Sequence, residues 1–477
     1  MASLNFDSFL NVIDGNLVGS ETTRHGINPA TLEALPPVPV SIPSDVDAAV
    51  AAARRAASGW ADTPLAERQQ AVSNFADALE KHADGFIKML VVEQGKPLAV
   101  AKIEVDQTVL ILRGVAKLPF PEQVVDDTPG RRIVTRYVPI GVAVGIVPWN
   151  FPVNLASFKI APALVAGNPI IIKPSPFTPY CGLKLAELGR DIFPPGVLQA
   201  LSGDDNLGPW LTSHPGVDKV SFTGSTATGM KVMESCSKTL KRVTLELGGN
   251  DPAIVCADVD IPTVAAKVAA LALFNSGQVC IAIKRVYVHS DIYQEFIAEV
   301  ARNVEALKVG NGLDENVSVG PVQNALQFDR LKSLVSSLKE EKVKVLTGDL
   351  DALSKEKGYF VNPVVIENPP DDSKIVTEEP FGPVFPVLKW DTEEDVIRRA
   401  NDTDMGLGAS VWTRDTAQAD RLARKLQAGT VWINSHLELR PDAAFGGHKW
   451  SGLGSELGIE GLKSYCNVQT IFYTNDI

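Results

Sequence analysis

The chain has 477 residues, of which 45% are hydrophobic and 21% charged, and its formal net charge is -12 at pH 7. This length predicts about three globular domains. The acidic balance argues against a nucleic-acid-binding protein, which usually carries a basic surface patch. The five cysteines are widely spaced and form no CxxC pair or Cys/His cluster, so we expect free thiols and no metal site.

The sequence carries no evident targeting or membrane signal. Its first residues lack the basic and apolar regions of a signal peptide, and its last four match no retention, peroxisomal or prenylation signal. Its apolar runs are shorter than a membrane span. We therefore expect a cytoplasmic protein that binds neither membranes nor nucleic acids.

The N-terminal part predicts an irregular segment followed by helices. Residues 5–43 are rich in proline and are expected to wrap the surface of the first domain. Ser44, with Asp47 three residues later, is typical of a capping box. Pro64 is expected at the first position of a second helix, whose apolar stripe extends to Phe86. The predicted helices cover residues 48–60, 64–86 and 98–112.

Two strand-like runs separated by a polar turn occupy residues 123–137 and predict a hairpin. This hairpin lies between the helical N-terminal part and a new strand, so we expect it to project. Its edge strands need pairing or protection, which an oligomer contact could supply. Residues 465–473 also predict a strand and are a possible pairing partner.

From residue 141 onward strands and helices alternate, which predicts a parallel sheet with helices on both faces. The first set has strands at 141–147, 169–173, 198–201, 219–222 and 242–247, and helices at 156–166, 184–193 and 226–235. The second set has strands at 285–289, 344–346, 383–389 and 430–434, and helices at 291–307, 325–340, 393–401 and 416–426.

Four segments follow strands of the first set, and ligands of such sheets bind beyond the carboxyl ends of the strands. Lys173 could contact a ribose or a phosphate, or simply solvent. Glu246 could be a general base with a raised pKa, or a surface carboxylate. Asn150 could donate to an oxyanion or stabilise a turn. The segments expected to share one crevice are residues 148–150, 173–175, 223–225 and 246–249.

One cysteine follows a turn that suits a reactive group. Apolar residues 264–274 predict a buried helix that ends in a polar turn, where Gly277 permits a backbone conformation that other residues resist. Cys280 comes just after it. A thiolate nucleophile needs access and a polar surround. A lone free cysteine, however, is more often a small buried hydrophobe.

Seven motifs in one order shift this balance. They are VPWNFP at 147–152, KPS at 173–175, FTGS at 222–225, LELGG at 245–249, GQVC at 277–280, EPFGP at 379–383 and FGGHKWSG at 445–452. Together they resemble the aldehyde dehydrogenase superfamily over about residues 25–473. The resemblance implies an α/β fold with a Rossmann-type parallel-sheet cofactor domain (1–118 and 140–248), an α/β catalytic domain (249–450) and a small β oligomerisation arm (119–139 and 463–477).

The resemblance also implies a hydrolytic, non-acylating mechanism. Cys280 would attack the aldehyde and form a thiohemiacetal and then a thioester. Asn150 and the Cys280 N–H would stabilise the oxyanion. Glu246 would activate the hydrolytic water, and its presence favours release of a free acid over transfer to coenzyme A. Lys159 and Glu456 match positions proposed as a proton relay.

The implied cofactor is NAD, with NADP also possible. Lys173 would bind the adenine-side ribose, and Ser225 the pyrophosphate. Glu379 would hold the nicotinamide ribose, with Phe381 beside the ring. Pro176 stands where many NAD-preferring members have a glutamate that repels a 2′-phosphate. The full predicted cofactor set is Pro148, Trp149, Lys173, Ser175, Gly224, Ser225, Leu247, Glu379 and Phe381.

The substrate tunnel implied by the resemblance is apolar and partly aromatic, which favours an aromatic or medium-chain aliphatic aldehyde. Arg440, near its expected mouth, would instead favour an acidic aldehyde. We expect a homodimer or a homotetramer. The predicted tunnel residues are Phe151, Leu155, Phe158, Val279, Ile281, Leu437, Leu439 and Phe445.

Two other classes of protein remain open from the sequence. A thiol hydrolase could use Cys280 without a nicotinamide cofactor, but it would need a histidine base, and none of the six histidines is an evident partner. A non-catalytic protein could keep the fold. The intact Cys280, Glu246 and Asn150 argue against it, as does Lys173.

Overall fold

The predicted alternation of strands and helices is present in the structure, a computed structural model that describes residues 4–120, 122–350 and 357–474. The N-terminal elements are β1 (Asn11–Ile13), β2 (Asn16–Val18), β3 (Thr23–Ile27), β4 (Ala34–Pro39), α1 (Pro43–Asp62), α2 (Leu65–Lys81), α3 (Ala83–Gln94) and α4 (Leu98–Val115). The next elements are β5 (Gln123–Thr128), β6 (Arg131–Pro139), β7 (Ala143–Ile146), α5 (Asn154–Val165), β8 (Ile170–Lys173), α6 (Tyr180–Gly189), β9 (Leu198–Ala200), α7 (Leu207–Ser213), β10 (Lys219–Thr223), α8 (Thr226–Ser237) and β11 (Arg242–Glu246).

The second half continues the alternation. Its first elements are β12 (Asp251–Val255), α9 (Ile261–Ala272), β13 (Ile283–His289), α10 (Tyr293–Glu305), α11 (Ala325–Glu340), β14 (Lys344–Thr347), β15 (Val364–Glu367), α12 (Lys374–Thr377) and β16 (Val384–Trp390). Its last elements are α13 (Glu393–Asn401), β17 (Gly408–Trp412), α14 (Thr416–Ala423), β18 (Thr430–Ile433), β19 (Gly452–Leu453), α15 (Gly458–Lys463) and β20 (Cys466–Thr474).

The first large sheet has the strand order β19-β11-β10-β7-β8-β9-β1-β2. Its central strands, β7 to β11, run parallel. Every residue of β8 is buried, as expected for a continuous apolar strand that helices cover on both faces. Helix α5 is buried along its whole length and packs against β7, β8, α2 and α4. The start of α5 is therefore held rigidly beside the carboxyl end of β7.

The second large sheet has the order β14-β15-β16-β13-β12-β17-β18 and is parallel except at β14. A third sheet, β20-β6-β5, is antiparallel, with Cys466 opposite Pro139 and Thr474 opposite Arg131. The predicted hairpin is therefore present, and the C-terminal strand is its pairing partner. Residues 121 and 475–477 of the predicted arm lie outside the described residues.

The prediction of an irregular segment over residues 5–43 was wrong. Strands β1 and β2 extend the first sheet at its edge, and β3 pairs with β4. These strands are short, so they show little periodicity in sequence. Asn11 anchors the segment because its side chain bonds Ser41 Oγ (2.9 Å) and the Ser202 N–H (2.8 Å).

The predicted helix starts also need correction. Helix α1 begins at Pro43, and the acceptor for the Ile42 N–H is Asp45 Oδ2 (2.9 Å), so Ser44 is not the cap. Pro64 precedes α2 instead of occupying its first position. Phe86 belongs to α3, because α2 ends at Lys81 and a new helix begins at Ala83.

No helix among the described residues is long and apolar enough to cross a bilayer.

Candidate active site

Cys280 lies just beyond a strained turn at the end of α9. Asn275, Ser276 and Gly277 have φ values of 51°, 59° and 71°, so three consecutive residues are left-handed. A Cβ at Gly277 would lie 2.1 Å from the Gly382 carbonyl oxygen, so this position requires glycine. Ser276 Oγ donates to Gly320 O (2.9 Å) and helps to hold the turn. Such strain is typical of functional sites.

Two cavities meet at this turn. The polar cleft has an empty volume of about 590 Å³ and is lined by Pro148, Trp149, Asn150, Thr223, Gly224, Ser225, Leu247, Gly248, Cys280, Gln327, Arg330, Glu379 and Phe381. The apolar cavity has an empty volume of about 880 Å³ and is lined by Ile103, Glu104, Gln107, Asn150, Phe151, Asn154, Leu155, Phe158, Leu271, Phe274, Val279, Cys280, Ile281, Leu437, Leu439 and Phe445. Asn150 and Cys280 line both, so a molecule in either cavity can reach the thiol.

Asn150 is held firmly beside Cys280. Its Nδ2 donates to Gln278 O (3.1 Å), and its carbonyl accepts from Lys96 Nζ (2.9 Å) and Asn275 Nδ2 (3.3 Å). Lys96 is fully buried and forms an ion pair with Glu104. Its ammonium also lies 3.8 Å from the centroid of the Phe151 ring. This buried pair was not predicted from the sequence, because only the tertiary fold brings it against Asn150.

Glu104 also caps α5. One carboxylate oxygen accepts from the N–H groups of Val153 (2.9 Å) and Asn154 (3.2 Å). Helix N-termini leave such N–H groups without intrahelical partners, and a carboxylate there is favourable. The same side chain therefore orders the start of α5 and, through Lys96, the loop that carries Asn150.

Burial raises the pKa of the Cys280 thiol to about 12, while the nearby Lys284 ammonium acts in the opposite direction. Lys284 Nζ donates to Val279 O (2.6 Å) and Cys280 O (3.2 Å), and it lies 3.3 Å from Glu379 Oε1. Lys284 was missed from the sequence. A lysine inside an apolar strand is seldom buried without a partner, and that signal could have identified it.

Glu246 ends β11 in a dry environment. It is buried, and neither carboxylate oxygen has a hydrogen-bond partner among the described residues. Burial raises its pKa well above the usual range, and the Glu456 carboxylate adds to this, whereas Lys159 opposes it. Glu246 is not among the residues that line either cavity, but its charge contributes to the raised pKa of Cys280.

The structure brings Lys159 and Glu456 into contact. Lys159 Nζ lies 2.6 Å from Glu456 Oε1 and 2.7 Å from Thr223 Oγ1. Ser221 Oγ donates to the same Glu456 oxygen (2.9 Å), and the other oxygen has no hydrogen-bond partner within the part of the chain that the structure describes. The chain places these buried groups close enough to Glu246 to shift its pKa.

The polar cleft has features that suit a dinucleotide. Ser225 caps α8, where its Oγ accepts from the Thr228 N–H (3.3 Å), so the helix N-terminus faces the cleft. A Cβ at Gly248 would lie 2.7 Å from Glu379 Oε2, so glycine keeps this wall open. Trp149 and Phe381 pack edge to face with their centroids 5.3 Å apart.

Lys173 and Ser175 do not line the polar cleft, although Lys173 pairs with Ile146 across β7 and β8. The Lys173 ammonium is buried, and among the described residues it makes a single hydrogen bond, to Pro174 O (3.3 Å). Burial lowers its pKa to about 8, with Asp205 opposing. A buried ammonium with unused donors fits a hydroxyl-rich or phosphate-bearing ligand.

All eight residues predicted for the substrate tunnel line the apolar cavity. The rings of Phe151 and Phe274 stack at 6.2 Å with an interplanar angle of 15°. Arg440 lines neither cavity. It is exposed and forms an ion pair with Asp442 at 2.9 Å, so the described lining of the apolar cavity lacks the arginine expected at the tunnel mouth. The cavity residues that were not predicted from the sequence are Ile103, Glu104, Gln107, Asn154, Leu271 and Phe274.

No histidine lines either cavity, and all six histidines are within the described residues. His436 contacts a residue of the apolar cavity, since its Nε2 lies 2.7 Å from the Ile281 carbonyl oxygen. Burial lowers its pKa to about 3, so it stays neutral at physiological pH. The described site therefore offers no imidazole base for a thiol hydrolase.

Known proteins resemble this chain in fold and sequence over nearly its whole length. The model of the aldehyde dehydrogenase family matches residues 18–471. A putative aldehyde dehydrogenase, FUS7, of Gibberella fujikuroi is 40% identical over 469 residues, covering 98% of this chain and 99% of that protein. The NAD+ complex of an aldehyde dehydrogenase from Bacillus cereus has a TM-score of 0.95 at 36% identity, covering 98% and 97% of the two chains. An NADP-dependent enzyme of E. coli has a TM-score of 0.96 at 32% identity and 99% coverage of both.

The parallel-sheet fold and these matches define an oxidoreductase of the α/β class. The chain belongs to the aldehyde dehydrogenase family, and it is an NAD(P)-dependent enzyme that oxidises aldehydes.

Proposed function

We propose that the chain oxidises a hydrophobic aldehyde, aromatic or medium-chain aliphatic, to the free carboxylic acid with Cys280 as nucleophile. The observation that carries this proposal is the position of Cys280, where an apolar cavity of about 880 Å³ meets the polar cleft. Binding pockets for small molecules are typically mainly apolar with a few polar groups. The absence of Arg440 from the described lining disfavours an acidic substrate.

In the first half-reaction, the Cys280 thiol loses its proton to solvent. The thiolate sulfur then bonds to the aldehyde carbon, and the carbonyl oxygen becomes an oxyanion. The Asn150 Nδ2 and the Cys280 N–H are the proposed donors to this oxygen, since both groups belong to residues at the junction of the cavities. Glu379 and Phe381 would hold a nicotinamide in the polar cleft, and this group, when bound, would supply the acceptor for the hydride that the adduct carbon loses. The remaining thioester stays attached to Cys280.

In the second half-reaction, Glu246 removes a proton from the water that attacks the thioester. Its dry environment raises its pKa, which makes the carboxylate a stronger base once it is ionised. The contacts among Lys159, Glu456 and Thr223 support a path that carries the proton away. Cys280 then leaves as the thiolate, and the product is a carboxylic acid.

We propose NAD as the preferred cofactor, with NADP also accepted. The polar cleft, the α8 N-terminus at Ser225 and the buried Lys173 would hold the dinucleotide, with Glu379 and Phe381 on the nicotinamide side. Pro176 places no carboxylate against a 2′-phosphate, which supports use of NADP. The solved structures matched by this chain include proteins described with each nucleotide.

The test follows reduced-nicotinamide absorbance with NAD or NADP and a panel that contains benzaldehyde and heptanal. We expect turnover in the wild type and in Cys236→Ala, whose thiol is buried elsewhere, and none in Cys280→Ser. Glu246→Gln should give one burst of about one equivalent per site without further turnover, because hydrolysis is blocked. Failure of every aldehyde with both nucleotides would contradict the proposal, and so would full turnover of Glu246→Gln.

We further propose the domain boundaries predicted above, with a cytoplasmic homo-oligomer as the working assembly. The grouping of strands into two large sheets and a separate three-stranded sheet, β20-β6-β5, supports the boundaries at residues 118–140 and 248–249. Five free cysteines support a reducing compartment. Exposed apolar residues on the three-stranded sheet β20-β6-β5 support the assembly.

A further inference from the structure

One polar side chain in the apolar cavity has an unused hydrogen-bonding atom. Asn154 is 8% exposed, and its Oδ1 is buried without a partner among the described residues. Its backbone is fixed, because its N–H donates to Glu104 (3.2 Å) and its carbonyl accepts from Ser157 Oγ (2.6 Å). The backbone that carries this side chain is therefore held firmly at the first residue of α5.

The other polar side chains of this cavity already have partners. Glu104 accepts from Lys96 and from two backbone N–H groups. Gln107 Nε2 donates to Leu439 O (3.0 Å), and Asn150 Nδ2 donates to Gln278 O (3.1 Å). Most of the remaining lining is hydrocarbon. The Asn154 side-chain amide, in contrast, lines the cavity without a hydrogen bond among the described residues, so a bound molecule is the available partner.

A buried amide oxygen without a partner is unfavourable, and buried polar groups in folded proteins are almost always bonded. Leucine has a similar size and would line this cavity without that penalty. An asparagine at this point is therefore explained if a ligand supplies the missing bond. The apolar cavity has space for such a ligand.

We infer that Asn154 selects an otherwise hydrophobic aldehyde that carries a hydroxyl group away from the aldehyde carbon. A hydroxyl donates to an amide oxygen and also accepts from an amide NH2, so it matches Asn154 in both respects. A charged ammonium would be disfavoured by the apolar walls. Asn154 and Cys280 line the same cavity, so one molecule can present its hydroxyl to the amide and its carbonyl to the thiol. This inference rests on the proposed function of the site.

The test compares hydroxyl with methyl, which are similar in size. The substrate pairs are the 2-, 3- and 4-hydroxybenzaldehydes against the corresponding methylbenzaldehydes, and 6-hydroxyhexanal against heptanal. In the wild type, at least one hydroxyl substrate should exceed its methyl partner about tenfold in kcat/KM, the effect of one hydrogen bond. Asn154→Leu should abolish this preference, mainly by lowering kcat/KM for the hydroxyl substrate.

Two controls separate this inference from its assumptions. Gln107→Leu changes another amide of the same cavity and should leave the hydroxyl-to-methyl ratio within about twofold of the wild type, since that amide already bonds to Leu439. Calorimetry on Cys280→Ser, with and without Asn154→Leu, measures the binding affinities of the same substrate pairs in the absence of turnover. It remains informative even if the protein oxidises none of the aldehydes.

A preference that disappears in Asn154→Leu, by kinetics or by binding, supports the assignment. Equal values for every pair in the wild-type kinetics and in the Cys280→Ser binding experiment would overturn it. So would a preference that Asn154→Leu leaves intact, because another group would then recognise the hydroxyl. Asn154→Ser provides a second variant, expected to keep part of the preference, if the leucine protein does not fold.

Discussion

At the residue scale, the site combines an accessible thiol with surroundings that disfavour its ionisation. Cys280 is half-buried, whereas Cys181, Cys236, Cys256 and Cys466 are buried. Burial raises the pKa of Cys280 to about 12 although Lys284 lies nearby. The protein alone therefore keeps its nucleophile mostly as the neutral thiol at physiological pH. This protects the thiol, because the thiolate is the form that reacts and oxidises.

We predict that iodoacetamide labels Cys280 slowly and with a steep pH dependence in the protein without nucleotide. The thiolate fraction should rise about tenfold per pH unit from pH 7 to pH 10, because the thiol pKa lies above this range. Mass spectrometry of timed samples measures the rate, and Cys280→Ser gives the background from the buried thiols. A plateau at or below pH 9 would show that the thiol pKa is close to its ordinary value.

At the element scale, the buried Lys96–Glu104 pair links the start of α4, the loop of Asn150 and the start of α5. Removal of one partner from a buried pair leaves an uncompensated charge, which typically costs about 3–5 kcal/mol. In this site it would also release the carbonyl that orients Asn150. The pair therefore contributes to stability and to the position of the proposed oxyanion donor.

We predict that Lys96→Met lowers the free energy of unfolding by about 3–5 kcal/mol and lowers kcat with little effect on KM for the nucleotide. The double variant Lys96→Met/Glu104→Leu should lose less stability than the sum of the two single variants. Lys102→Met is the matched control, because its exposed pair with Asp106 on α4 should contribute under about 1 kcal/mol. Urea unfolding and steady-state kinetics measure both effects, and additive losses would contradict the coupling.

The central parallel strands were predicted from the sequence because continuous apolar runs alternate with helical segments, as in β7 and β8. It did not predict β12, β15 and β17, since proline or glycine interrupts or borders these short runs and weakens a strand assignment. The motifs located Cys280, Asn150 and the tunnel wall. They did not locate Asn154 or the Lys96–Glu104 pair, because an unpartnered amide and a buried ion pair become visible only after the tertiary contacts are known.

At the scale of the whole molecule, the small sheet leaves apolar residues on its two edge strands. Val468 and Phe472 on β20 are 64% and 65% exposed, and Val124 and Val125 on β5 are also exposed. Unpaired edges of this kind invite pairing with another chain. The exposed apolar side chains add area that is favourable to bury. This surface is therefore the proposed contact between copies of the chain.

We predict that Val468→Asp/Phe472→Asp produces a smaller assembly, because two buried carboxylates would oppose the contact. Light scattering coupled to size-exclusion chromatography gives the molar mass directly. Lys267→Asp, which alters charge on an exposed position of α9, should keep the wild-type mass. An unchanged mass for the double variant would exclude this surface as the main contact, and a monomeric wild type would exclude the assembly itself.

The two cavities share just two of the described lining residues, Asn150 and Cys280. Mutations in the remaining wall of the apolar cavity can therefore alter which aldehyde is accepted while the dinucleotide side stays unchanged. The reverse holds for the polar cleft. The accepted aldehyde and the accepted nucleotide can therefore evolve separately. Protein engineers can likewise mutate the lining of either cavity in its own variant library while Cys280 stays unchanged.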